Sequence, residues 1–282
     1  MQIRELTHDD ILRILPDRIA DSHKGDYGKI LLLCGSVGYT GAAALAAMGA
    51  LRSGAGLVFL GVLQSIYEIE AIKLTEPVVF PLTDDEGMFD EAAVREILDR
   101  LKDIDAVLVG PGCGQSKGVF CVVKAVLESF HGPVVLDADG INVLRQNIDI
   151  VRDRTSPTII TPHMGEFKRI GAVQSGDRIC DAVQTARDLG CVVLLKGNRT
   201  VITDGSTCYI NPTGNAGMSV GGSGDVLSGM IVSLLGQGIA ALESAAAAAW
   251  LHGAAGDVCA QQMGQYGMLP SDILQVLPRL MK

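Results

Sequence analysis

The sequence predicts an α/β protein built around a mainly parallel sheet. Two observations predict it. Short apolar, β-rich runs alternate with segments of helical spacing along the chain, and strands separated by helices form βαβ units. The residues directly after those runs are small or polar: Gly35-Ser36, Gly110-Pro111-Gly112, Asp137, Thr161-Pro162-His163 and Lys196-Gly197. In a parallel sheet such positions share one rim, outside the C-terminal strand ends, where ligands bind.

The elements follow in order. Lys29–Cys34 (KILLLC) is short, apolar and closed by Gly35, hence a buried strand. The Ala-rich stretch Ala42–Arg52 reads as a helix, Gly56–Leu63 as a strand, Ile66–Lys73 as a helix and Pro77–Phe80 as a short strand. Glu91–Leu101 places Val94, Ile97, Leu98 and Leu101 on one helical face. Ala106–Val109 is a strand, Lys117–Phe130 a helix and Pro133–Leu136 a strand ending at Asp137. Thr158–Thr161 is a strand stopped by Pro162, followed by a helix whose first turn carries Glu166. Arg178–Leu189 is a helix and Val192–Leu195 a strand. Val201–Thr203 and Thr207–Ile210 flank Asp204-Gly205 and read as a hairpin. Helices over Ser223–Leu235, Glu243–Gln262 and from about Ser271 complete the pattern. No charge run or Ser/Pro-rich linker divides the chain, so residues 1–282 read as one domain with an N-terminal arm, 1–24.

Composition narrows the function. With 282 residues, 48% of them hydrophobic, the chain can bury a sizeable core. The net charge of −9 argues against a nucleic-acid or membrane-surface binder, which needs a basic field. It leaves room for one nucleotide, because backbone N–H groups hold phosphates without net positive charge. Seven cysteines form no CxxC pair; Cys34 and Cys191 abut apolar runs and read as buried hydrophobes. Free thiols point to a reducing compartment, and the charged start Met1–Asp10 has no signal-peptide pattern, so the expectation is cytoplasmic. The apolar stretch Ala245–Leu251 is too short to span a bilayer.

The segment Asn211–Met230 (NPTGNAGMSVGGSGDVLSGM) is the most informative. Gly221, Gly222 and Gly224 let the backbone approach a ligand closely. Ser223–Asp225 then open an apolar helix, whose free N–H groups make an anion hole. Asp225 beside that hole would repel phosphate, so it reads as a base that removes a proton from a hydroxyl attacking phosphorus. The plainer reading is a glycine turn with an acid complementing the helix dipole.

Four other segments are open to two readings each. Lys196-Gly197-Asn198-Arg199-Thr200 either sets a cation and backbone donors near phosphates or simply turns into the hairpin. In Thr161–Glu166, His163 is a substrate ligand or a surface residue; Glu166 holds a magnesium-bound water or complements a helix dipole. Asp137-Ala138-Asp139 offers an acid for metal or loop positioning, or a cap for a helix over Gly140–Leu144. Gly35–Ala42 resembles a phosphate-binding turn, yet it lacks the Lys-Ser/Thr ending and GxGxxG spacing, which disfavours a Rossmann cofactor site. The small residues after it suit close approach by a flat ligand or another helix.

Taken in order, HKGDYGKILLLCGS, TGAAALAA, ALRSGAG, VGPGCG, VLDADGIN, TPHMGEF, LLKGNRT, NPTGN and GGSGDVLSG resemble the ADP/ATP-dependent NAD(P)H-hydrate dehydratases of the ribokinase-like superfamily. The likeness covers nearly the whole chain. Ser223 stands where that family often carries Thr or Met, a mild departure because the backbone N–H does the work. The resemblance implies a three-layer αβα fold, ADP or ATP as phosphoryl donor with Mg2+, and the hydrates of NADH and NADPH as substrates. Phosphorylation of the C6 hydroxyl would be followed by loss of phosphate. It implies that Ala42, Gly112, His163 and Asp225 contact the hydrate. Lys196, Gly197, Asn198, Arg199, Thr200 and Gly224 would contact the nucleotide. The N–H groups of Gly222, Ser223 and Gly224 would steady the phosphoryl group, and Glu166 would reach magnesium through water. A homotetramer is implied as well. Longer members add an N-terminal epimerase domain, and this chain, which starts at the dehydratase portion, is expected to lack that activity. The nearest alternative is a sibling kinase acting on a hydroxymethylpyrimidine or hydroxyethylthiazole type alcohol.

Overall fold

The computed structural model describes residues 2–172 and 174–281. The strands are β1 (Gln2–Glu5), β2 (Lys29–Leu33), β3 (Leu57–Leu63), β4 (Val78–Leu82), β5 (Asp84–Asp85) and β6 (Met88–Phe89). They continue with β7 (Ala106–Val109), β8 (Val134–Leu136), β9 (Thr158–Ile160), β10 (Val192–Leu195), β11 (Val201–Thr203) and β12 (Thr207–Ile210). The helices of the first half are α1 (His8–Ile14), α2 (Thr40–Arg52), α3 (Tyr67–Lys73), α4 (Ala93–Arg100), α5 (Lys117–Ser129) and α6 (Asp139–Asn142). Those of the second are α7 (Asp149–Arg152), α8 (Met164–Arg169), α9 (Arg178–Leu189), α10 (Ser223–Gly236), α11 (Ala241–Met263) and α12 (Pro270–Val276).

Ten strands form one sheet in the order β1-β12-β11-β10-β9-β8-β7-β2-β3-β4. Every pairing is parallel except the two made by β11 with β10 and β12. The mainly parallel sheet expected from the alternation is therefore present. Its central strands are buried, β7 (AVLV) throughout and β2 (KILLL) from Ile30 onward, because helices cover both faces. β4 carries Pro81, tolerated because β4 is an edge strand with one side unpaired.

Two features escaped the sequence. The stretch 1–24, expected to be an arm, contains β1, which extends the sheet beside β12, and α1. The segment QIRE has no apolar run to announce a strand; the open edge of β12 supplies the partner. α1 did have a signal, because Thr7 accepts from the Asp10 N–H while the Asp10 carboxylate accepts from the Thr7 N–H, a capping box. The β5–β6 hairpin was also unforeseen, each strand being two residues long.

The Ala- and Gly-rich helices find their partners inside the chain. α2 crosses α10 so closely that a β-carbon at Gly49 would stand 2.5 Å from the Val226 carbonyl oxygen, and one at Gly229 would overlap the Ala46 carbonyl. The α2 residues Ala43, Ala46, Ala47 and Ala50, and Ala245–Ala249 of α11, are buried. This packing carries α10 across the sheet and brings its N-terminus to the rim. All seven cysteines are free, with Cys34 and Cys191 buried as expected. Among the described residues no helix is long and apolar enough to cross a membrane.

Candidate active site

The strand order places β10, β9, β8, β7 and β2 side by side, so their C-terminal extensions form one continuous rim. Backbone bonds stitch neighbouring extensions together: Lys196 N donates to Pro162 O (2.8 Å), Thr161 N to Leu136 O (3.1 Å), and Gly35 N to Pro111 O (2.8 Å). His163 and Lys196 pair as an isolated parallel bridge. Gly112, with φ of 66°, abuts Ala42: a β-carbon there would stand 2.8 Å from the Ala42 Cβ. Ala42 and Gly112, and separately His163 and Lys196, are thus brought together from distant parts of the sequence.

α10 begins at this rim. Gly222 caps it with φ of 95°, a conformation that favours glycine. The Ser223 N–H turns back to Val220 O at 3.3 Å, while the N–H groups of Gly222, Gly224 and Asp225 have no partner among the described residues. The open donors are therefore Gly222, Gly224 and Asp225, with Ser223 closing the turn. The Ser223 hydroxyl lies 3.4 Å from Nε2 of buried His252, whose pKa burial lowers to about 4, so the imidazole stays neutral behind the helix start.

Lys196 ties the site together. Its Nζ donates to Asp137 Oδ1 at 2.7 Å and lies 3.7 Å from Glu166 Oε2. A β-carbon on Gly224 would stand 3.6 Å from that Nζ and 3.9 Å from Asp137 Oδ2. The ammonium therefore faces the start of α10. Burial works against its charge, yet Asp137 and Glu166 outweigh burial and hold its pKa above the ordinary lysine value. Asp225 shows the opposite balance. Burial, then the nearby Asp137 charge, push its pKa up to about 6, against the pull of Lys196. A base poised near neutral pH suits proton transfer.

The plainer reading of Glu166, an acid at the start of a helix, is what the geometry shows. His163 is the N-cap of α8: its Nδ1 accepts from Gly165 N (2.8 Å) and Glu166 N (3.3 Å). Glu166 Oε2 accepts from His163 N at 2.8 Å. The acid is a capping residue and also reaches Lys196. Among the described residues no three His, Cys, Asp or Glu side chains gather as a metal cage. The Glu166 carboxylate is the donor at hand for a magnesium ion that keeps most of its waters.

The Lys196–Thr200 loop is held from outside. Arg178 donates from Nη1 to Asn198 O (2.8 Å) and from Nη2 to Leu195 O and Lys196 O (both 3.3 Å). Gly197 takes φ of 148°, and a β-carbon there would stand 2.8 Å from Arg178 Nη2. Thr200 Oγ1 closes the loop by donating to Gly197 O at 2.9 Å. The Arg199 side chain points away, to Glu5 at the end of β1 (2.6 Å). Sequence reasoning missed Arg178. A signal existed, since a cation at the first position of a helix opposes the dipole and needs another reason to be there.

The pair Asp137 and Asp139 divides the roles left open for it. Asp139 positions the neighbouring loop, accepting from Gly114 N (2.9 Å), Gln115 Nε2 (3.1 Å) and Asn142 Nδ2 (3.3 Å). Asp137 belongs to the Lys196 cluster. The NPTGN segment is anchored on α11: Asn211 Nδ2 donates to Ala249 O (3.1 Å), and Asp257 accepts from Gly214 N and Asn215 Nδ2 (both 2.9 Å).

A mainly parallel sheet whose rim meets the glycine-rich start of a helix bearing an acid is the ribokinase-like architecture. The chain superposes on a ribokinase-like superfamily protein from Enterococcus faecalis with a TM-score of 0.87 at 27% identity, covering 99% of this chain and 95% of that one. A family model described as NAD(P)H-hydrate dehydratase matches residues 30–279, and the chain belongs to that family. It is 42% identical over 275 residues to a bifunctional NAD(P)H-hydrate repair enzyme of Moorella thermoacetica, covering 95% of this chain and 52% of that protein. The chain thus spans about half the length of such bifunctional relatives. An ADP/ATP-dependent NAD(P)H-hydrate dehydratase from Bacillus subtilis, co-crystallised with ATP and Mg2+, matches over 99% of this chain and 98% of its own, at 32% identity and a TM-score of 0.86.

Proposed function

We propose that this protein dehydrates the S-form of NADH-hydrate and NADPH-hydrate back to NADH and NADPH, using ADP or ATP. The observation that carries the reading is Asp225, raised to about 6, beside the open N–H groups of Gly222 and Gly224 and across from the Lys196 ammonium. That arrangement joins a base to an anion hole, which phosphoryl transfer to a hydroxyl needs.

Asp225 takes the proton of the C6 hydroxyl. The oxygen attacks the terminal phosphorus, the bond to the nucleotide's bridging oxygen breaks, and the nucleotide leaves with one phosphate fewer. The N–H groups of Gly222 and Gly224 and the ammonium of Lys196 balance charge on the moving phosphoryl group. Phosphate then leaves C6 as the ring nitrogen donates its electron pair. Ala42, Gly112 and His163 line the hydrate side, and Lys196–Thr200 the nucleotide side. Magnesium, held through water by Glu166 with Asp137 near it, would neutralise the nucleotide phosphates. The same reading carries a cytoplasmic homotetramer, which light scattering of the purified protein checks.

The test is direct. The protein is incubated with ADP or ATP, Mg2+ and NADH-hydrate, and absorbance at 340 nm is followed. Return of NADH absorbance with either nucleotide is the expected result. No return would overturn the reading, and a stable phosphate ester formed from a vitamin-precursor alcohol would replace it with a kinase.

A further inference from the structure

We propose that Asp137 is a second catalytic carboxylate, the group that takes the C5 proton of the hydrate as phosphate leaves C6. The inference rests on the dehydratase reading above and adds a residue to it.

The chemistry requires two proton removals. Asp225 takes the first, from the hydroxyl, and is then protonated. Departure of phosphate with the ring nitrogen's electrons breaks the C6–O bond and forms an iminium between the nitrogen and C6. Asp225 returns its proton to the departing phosphate oxygen. The C5–H bond must then break, its electrons forming the C5–C6 double bond and neutralising the iminium. Asp225 makes both of its proton transfers at the C6 oxygen, and the C5 proton lies one carbon away from that oxygen, so a second carboxylate is the acceptor assigned to it. A proton next to an iminium carbon is acidic enough for a carboxylate.

Asp137 fits by position and by state. It ends β8, which lies between β7, followed by Gly112, and β9, followed by His163. The residue is 1% exposed. Its Oδ1 accepts from Lys196 Nζ (2.7 Å) and Ala138 N (2.9 Å), but its Oδ2 has no hydrogen-bond partner among the described residues. That free oxygen lies on the Gly224 side, beside the start of α10. The backbone is held unusually to put it there. Ala138 takes φ of 49° and ψ of −115°, a combination that costs a non-glycine residue energy and marks an over-determined position. The other carboxylate at hand is less free: Glu166 Oε2 is bonded to His163 N, and its Oε1 lies 3.5 Å from His163 Nε2.

Removing the base should uncouple the two halves of the reaction. Without it, water recaptures the iminium and regenerates the hydrate, so nucleotide is spent with no NADH formed. Asp137→Asn keeps an acceptor for Lys196 and serves as the main variant. Nucleotide consumption and NADH return are measured together, using hydrate with and without deuterium at C5. For Asp137→Asn, NADH formed per nucleotide consumed should fall about a hundredfold, whatever the change in nucleotide consumption itself. Deuterium at C5 should lower the remaining yield further. In Asp137→Ala, added formate should restore part of the NADH yield. Equal loss of consumption and return, with no isotope effect and no formate rescue, would mean that Asp137 only holds Lys196 and would overturn the proposal. A wild-type protein that forms no NADH would instead sink the dehydratase reading itself.

Discussion

Arg178 donates to the backbone carbonyl of Asn198 at 2.8 Å and thereby fixes, from the start of α9, the loop that follows β10. Its second amino group reaches Leu195 O and Lys196 O, and its buried Nε has no partner among the described residues. The guanidinium thus clamps the start of the Lys196–Thr200 loop through three backbone carbonyls. Arg178→Met should raise the nucleotide KM about tenfold or more, the equivalent of one charge-assisted hydrogen bond, with a smaller change in kcat. Steady-state kinetics with varied nucleotide checks it; a loss confined to kcat would contradict the clamp.

Asp225 links activity to pH. In the proposed reaction the ionised carboxylate is the base, so kcat/KM should fall as pH drops through about 6, to about a tenth of its plateau one unit below. Asp225→Asn should nearly abolish turnover while leaving nucleotide binding in place. If binding were the main loss, the residue would be a helix-start acid and not a base.

The same group weighs on stability with the opposite sign. Its folded pKa, about 6, lies above the ordinary 3.8. The stability it contributes is complete below the unfolded value and is lost as pH rises through about 6. At neutral pH the buried charge therefore destabilises the fold, and Asp225→Asn should stabilise the free protein by roughly 1–3 kcal/mol. Denaturant melts at pH 5 and pH 8 test this, with the larger gain expected at pH 8.

His252 acts through burial in the other direction. Its folded pKa is about 4 against 6.5, so the unfolded chain takes up the proton first. The stability tied to the neutral imidazole is present above 6.5 and lost as pH falls toward 4, to about 3 kcal/mol in all. His252→Gln should flatten that slope. An unchanged acid limb in the variant would show that another group controls it.

α2 and α10 cross at backbone contact, at Gly49 and Gly229. Gly229→Ala pushes a methyl group into the Ala46 carbonyl, and neither backbone can yield without moving a whole helix. A loss of about 1–3 kcal/mol is expected, read as about 2–4 °C of Tm for each kcal/mol. Gly41→Ala is the control, because a β-carbon there meets nothing within 4 Å. Equal effects at the two positions would argue against the crossing as the cause.

Most strands were legible because buried parallel strands leave an unmistakable apolar run, as in β2, β7 and β10. β1 was not, since QIRE is a strand only by virtue of the β12 edge beside it. The glycine–acid segment was legible as a helix start with free N–H donors, because glycines there free the backbone and the first turn of a helix leaves its donors unpaired. Which N–H groups stay open was not, because Ser223 spends its own on Val220. Arg178 and Asp137 stayed hidden or ambiguous for one reason: each gains its role from residues far away in sequence, Asn198 in one case and Lys196 in the other.

The sequence by itself determined the layer architecture, the rim of small and polar residues at the strand ends, and the pairing of an acid with a glycine-rich helix start. These follow from local rules: hydrophobic period, strand-ending residues and the free donors of a helix N-terminus. Tertiary structure alone decided the electrostatics. The Asp225 carboxyl is pushed up to about 6 because folding buries it beside Asp137, and Lys196 stays charged because folding sets it between Asp137 and Glu166. Charge interactions depend on distance and burial, and neither exists until the chain has brought residues 137, 166, 196 and 225 to one place.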